Sequence, residues 1–208
     1  MTVSPGVLKR FIIYMAILTF VMFTIWAFVK SFVNRPGGDY ETEVCDIRLK
    51  DKKYDEALEA ANKALNKTPN HRGALMCKAL VFISSKKYFK ATKELNYLIE
   101  FLEETLEVDD KTGKGTLAAA YANRGIIKDR TKNYKGALQD YIKALDIDHE
   151  AVAGPGLGAI ILNYKFKSSS VRNRALYLNE QLQLPEEERV LSIKELDEGQ
   201  VMHKPGKL

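Results

Sequence analysis

From Phe11 to Val29 the chain reads FIIYMAILTFVMFTIWAFV, nineteen residues without a charge, and as a helix that run is about 28 Å long. It is long enough to span a bilayer and has no polar face to turn to water. Beyond Gly38 the pattern changes to apolar positions spaced three and four apart, the signature of amphipathic helices. The spacing predicts helices near Tyr40–Lys50, Tyr54–Asn66, Gly73–Ser84, Tyr88–Leu106, Thr116–Thr131 and Tyr134–Ile147. Near the C-terminus it predicts one over Ser170–Leu184 and, after Pro185, another over Glu186–Gly199. No run alternates with period two, so the expected class is all-α.

The helices recur in pairs. A Tyr-x-x-Ala frame opens the second helix of each pair at Tyr54–Ala57, Tyr88–Ala91 and Tyr134–Ala137, with separations of 34 and 46 residues. The second separation is 34 plus an insertion of twelve, expected to lengthen the second helix of its pair and add a polar loop. A 34-residue period with small residues where two helices approach resembles the tetratricopeptide repeat. The resemblance rests on Cys45, Tyr54, Ala57, Ala64 and Pro69 in the first unit and on Leu75, Ala79, Phe82, Tyr88, Ala91 and Leu95 in the second. In the third it rests on Tyr121, Gly125, Tyr134, Ala137, Tyr141, Ala144 and Leu145, and in a partial fourth on Gly158, Ala159 and Leu162. Arg48 and Leu98 depart from the pattern. The resemblance implies an all-α, TPR-like helix-turn-helix solenoid of three to four repeats, preceded by one transmembrane helix.

The domain reading is therefore an N-terminal tail over 1–10, a transmembrane helix over 11–30, a linker over 31–37 and a repeat domain over 38–182. The repeat domain divides into 38–71, 72–105, an insertion 106–117, 118–151 and 152–182. Residues 183–208 form a C-terminal capping helix and tail, covering the last apolar face of the solenoid, with the closing VMHKPGKL expected to fray. A cleaved signal peptide is the alternative for the first segment, but no small-x-small site follows it. Lys9 and Arg10 before the span balance Lys30 and Arg35 after it. The short N-terminal tail, with its charges abutting the membrane, puts the repeat domain on the periplasmic side of an inner, cytoplasmic membrane.

Charge modifies this picture less than the formal net charge of +5 implies. All 27 acidic residues lie at or beyond Asp39, and four of the 32 basic ones lie before it, leaving 28 against 27 in the soluble part. No Lys/Arg stripe with interleaved aromatics is legible along the chain, which argues against a nucleic-acid partner. Cys45 and Cys77 lie on first helices of neighbouring repeats; each can fill a small packing position, or the two can pair in an oxidising compartment.

No nucleophile with a base, paired carboxylates or metal-ligand spacing is legible, so neither an enzyme nor a cofactor nor a small-molecule substrate is expected. His71, His149 and His203 read as solvated turn or tail residues, and Gly154, Gly156 and Gly158 lack the strand that a dinucleotide loop needs. Stacked hairpins instead offer a concave groove lined by first helices. Its expected members are Met76, Cys77, Leu80 and Ile83, then Ala122, Asn123, Ile126 and Arg130, then Leu157, Ile160 and Tyr164. Repeat one would add Thr42, Glu43, Asp46 and Leu49. Such an apolar groove fits an amphipathic or extended segment of a protein client, unless it is filled by the protein's own segment Leu176–Leu196. The expected role is a membrane-anchored scaffold, an accessory or assembly factor of a bacterial envelope complex. The alternatives are a fixed accessory subunit of a membrane complex and an organellar import or assembly adaptor.

Overall fold

In the computed structural model of the chain, residues 4–33, 36–150, 152, 170–193, 200 and 202–203 are described. They fall into two compact units, Met1–Gly37 and Gly38–Leu208. The first is one helix, α1 (Pro5–Val33). Its stretch Pro5–Lys30 has a mean hydropathy of 2.4 and buries nothing within the molecule. Thr19 and Thr24 return their hydroxyls to carbonyls one turn back, so neither hydroxyl is left unpartnered. The helix is long and apolar enough to cross a membrane, a test that a signal sequence also passes.

The second unit is a stack of helical hairpins: α2 (Asp39–Lys50) with α3 (Tyr54–Lys67), α4 (Arg72–Ser84) with α5 (Tyr88–Thr105), and α6 (Lys111–Arg130) with α7 (Tyr134–Asp148). A further helix, α8 (Val171–Gln183), packs on α7. The first helices lie side by side, α2 against α4 and α4 against α6. This is the TPR-like solenoid that the 34-residue frame implies. Leu157, Ile160, Tyr164 and the rest of the partial fourth repeat lie outside the described residues.

The helices α4, α6, α7 and α8 start where the sequence provides a side-chain cap. His71, Asp110, Asn133 and Ser170 accept hydrogen bonds from the otherwise unpartnered backbone N–H groups of Ala74, Gly113, Gly136 and Asn173. Gly38 holds φ at 95° ahead of α2, with His71 and Ala64 close against it. The frame alanines Ala57, Ala91 and Ala137, and Ala64 and Ala144 two turns further on, are fully buried. Leu98 takes the same place in the second repeat and is buried too. A charged pair recurs in register across two hairpins, Lys78 with Glu94 at 2.9 Å and Arg124 with Asp140 at 2.8 Å.

Three expectations need correction. The twelve-residue insertion lengthens the second helix as expected, α5 having 18 residues against 14 in α3, but the remainder goes chiefly to α6, 20 residues against 13 in α4, rather than to a polar loop. Eleven of the twelve residues thus lengthen helices. Asp110 caps the extended α6, its carboxyl held below the usual range by the Gly113 N–H and then by Arg72. After Pro185, residues 186–188 form a single 3₁₀ turn and 189–193 are not helical. The helix fails there because the side chains of α8 take up the backbone groups: Tyr177 donates to Val190 O, Gln181 accepts from Val190 N, and Arg174 donates to Leu191 O. Finally, His71 is no solvated turn residue, for besides capping α4 it lies 2.8 Å from Asp39.

Candidate protein-binding groove

The inner face of the stack is formed by α4 and α6. Met76, Leu80, Ile83, Ala122, Asn123 and Ile126 all point into it or the core beside it, and all are buried. Arg130 is exposed at the end of α6. Ile126 borders a small cavity together with Tyr141, Val171, Arg174, Gln200 and His203.

The C-terminal segment expected to fray meets these helices instead. Asn123 donates from Nδ2 to the carbonyl of His203 at 2.7 Å and accepts from the N–H of His203 at 2.8 Å. The same amide lies 3.5 Å from Met76 Sδ. Ser84 on α4 donates to Met202 Sδ at 3.8 Å. Met202 and His203 thus meet both first helices, and of the two occupants expected for the groove it is the protein's own C-terminal chain that lies there, further along than Leu176–Leu196. Of the segment Leu176–Leu196, Leu178 is buried and Leu176 exposed, and the contacts of Asn123 come from further along the chain.

Behind the tail lies a closed polar network. Asp129, near the end of α6, accepts from Arg174 Nε at 2.7 Å and Nη2 at 2.8 Å, from Gln200 Nε2 at 2.8 Å and from Tyr141 OH at 3.2 Å. A carboxylate so deeply buried is tolerated because a bidentate guanidinium compensates it. The network joins α6, α7, α8 and the tail. Burial, with the neighbouring Asp129, raises the Tyr141 phenol well above its ordinary pKa, so it stays a neutral donor. Burial also lowers the His203 imidazole to about 4.

Sequence reasoning found Asn123, Ile126 and Met76 through the repeat register. It missed Asp129, Arg174, Gln200 and His203. Asp129 lies in a polar helix end, KDRTK, where an acid ordinarily faces water, and nothing periodic marks its partners 45 and 71 residues away.

Cys45 and Cys77, the small residues of adjacent first helices, are joined in a disulfide with Cα atoms 6.5 Å apart. The bond is buried among Ala57, Ala60, Ala61 and Val81.

No family model matches the chain. It is 30% identical over 108 residues to RNA polymerase II-associated protein 3 of Xenopus laevis, a match that covers 52% of this chain and 14% of that protein. The chain thus spans a small part of that relative's length. Among solved structures, the Arabidopsis OM64 TPR domain is similar at a TM-score of 0.45 and 16% identity, over 62% of this chain and 93% of that one. Three stacked hairpins in a 34-residue frame, with buried alanines at the frame positions and Gly125 closing on Tyr141, give the repeat unit of this chain a TPR-like fold.

Proposed function

We propose that the protein is a scaffold anchored in a membrane by α1, whose repeat groove takes up a segment of a client protein or subunit. The role that fits is an accessory or assembly factor of a bacterial envelope or inner-membrane complex. One observation carries this reading: Asn123 pairs with both backbone groups of His203. An amide that meets the N–H and C=O of a single residue recognises extended backbone, whatever the side chains. The tail of the chain is then an occupant that a client displaces. The disulfide favours an oxidising compartment, in keeping with repeats outside the cytoplasm. A fixed accessory subunit is the second reading, favoured by the contacts of Met202 and His203 with Ser84 and Asn123. An organellar assembly adaptor would be built in the same order.

Photocrosslinking tests this directly. A photoreactive residue at Ile126 is compared in the full chain and in one ending at Gly199, both in native membranes. Crosslinks within the chain at full length and to one partner protein after truncation are the expected result. If truncation uncovers no partner, the groove is not a client site, and stoichiometric co-purification in mild detergent then supports the subunit reading.

A further inference from the structure

Among the described residues, those other than glycine with positive φ are Lys52 at 60°, Lys86 at 58° and Lys132 at 66°. They are one position in three copies, the middle of the turn within each hairpin. The left-handed conformation strains any residue with a Cβ, and glycine relieves the strain. Three repeats therefore each keep a lysine where the backbone favours glycine. Strain retained in register points to a use for the side chain.

The stacking gathers these turns together. Since α2, α4 and α6 lie side by side and every hairpin reverses at the same point, the turns within hairpins share one edge and those between hairpins the other. Lys52, Lys86, Lys87, Lys132 and Lys135 are exposed on the first edge, and none of them joins an ion pair among the described residues. No acid occurs from Ser84 to Lys93 or from Arg130 to Gln139. The opposite edge carries Glu107, Asp109, Asp148 and Glu150. The first turn also holds Asp51, Asp55 and Glu56, and the opposite edge holds Lys67, Arg72 and Lys111, so the acid-free basic character belongs to the second and third turns. This basic stripe is absent from the linear sequence because its members are a repeat apart. Between Lys87 and Lys90 stands Phe89, 86% exposed.

We propose that this edge docks on anionic phospholipid headgroups, with Phe89 entering the interface. Unpaired lysines beside an exposed aromatic ring suit a charged bilayer surface. Single-stranded nucleic acid would call for several aromatics to stack its bases.

The test uses residues 38–208, whose core clusters contain no residue before Val44, in sedimentation with vesicles of phosphatidylcholine alone or mixed with phosphatidylglycerol. Binding to the mixed vesicles only, abolished by high salt, is expected. Each lysine near such a surface is worth roughly fivefold in affinity, so K86E/K87E/K132E should bind at least about tenfold more weakly. K52G/K86G/K132G should do the same while melting at a higher temperature, which separates lost contact from lost fold. Absence of binding, equal binding to both vesicles or full binding by the lysine variants overturns the proposal. So does capture of poly-glutamate or RNA without vesicles, which assigns the edge to another partner. Alkaline extraction of the full chain tests α1 separately: release from membranes refutes the anchor while vesicle binding by 38–208 still stands.

Discussion

A Cβ built on Gly125 lies 2.6 Å from Cε1 of Tyr141 and 3.3 Å from the carbonyl of Ala137. The ring is buried and its hydroxyl is held by Asp129 and Gln200, so it cannot turn aside. G125A should therefore destabilise the repeat unit by about 1–3 kcal/mol through overpacking, measured by urea unfolding followed by far-UV circular dichroism. Glycine at this one position lets α6 and α7 approach. His203 brings a different residue-scale effect. Its pKa of about 4 in the docked tail lies below the ordinary value of about 6.5 for a free imidazole. The docked state binds fewer protons, so docking is at full strength above the free value and weakens as pH falls towards 4. The total loss is about 3 kcal/mol. Hydrogen exchange of the backbone around residue 203 should accelerate roughly tenfold from pH 7 to 5.5, after correction for intrinsic rates, and H203Q should remove that dependence.

The helices illustrate what an isolated sequence discloses. Boundaries of α3, α4 and α5 follow the apolar spacing closely because local caps and turns end them: Thr68-Pro69, His71, Lys87. α6 starts earlier than the pattern implies, since the Lys111–Gly115 stretch has no apolar side chains to reveal it and depends on Asp110 as a cap. The extended run after Pro185 was hidden for another reason. Its leucines and glutamates are good helix formers, and only contacts with Tyr177, Gln181 and Arg174 determine otherwise. The groove divides in the same way, Asn123 being given by register and its partner at His203 by a contact 80 residues away. The disulfide is also an element-scale feature, for it closes a loop with a sequence separation of 32. Loop entropy assigns it about 3–4 kcal/mol. C45S/C77S should lower the unfolding free energy by that order, read from urea melts with and without reductant, the wild type changing and the variant not.

At the scale of the whole chain, a repeat array is held mainly by contacts between neighbours, and its ends ordinarily peel first. The last described hairpin is secured by the Asp129–Arg174–Gln200 network, which recruits α8 and the tail. The first has the bond between Cys45 and Cys77 instead. Suppose tension is applied at Gly38, where the repeats begin. It runs along α2 as far as Cys45 and then crosses a covalent bond into α4, so that α3 carries no load. Only the residues ahead of Cys45 can be drawn out as slack. The hairpin most exposed to pulling is thereby the one that tension cannot unravel, and any mechanical failure must begin deeper in the stack.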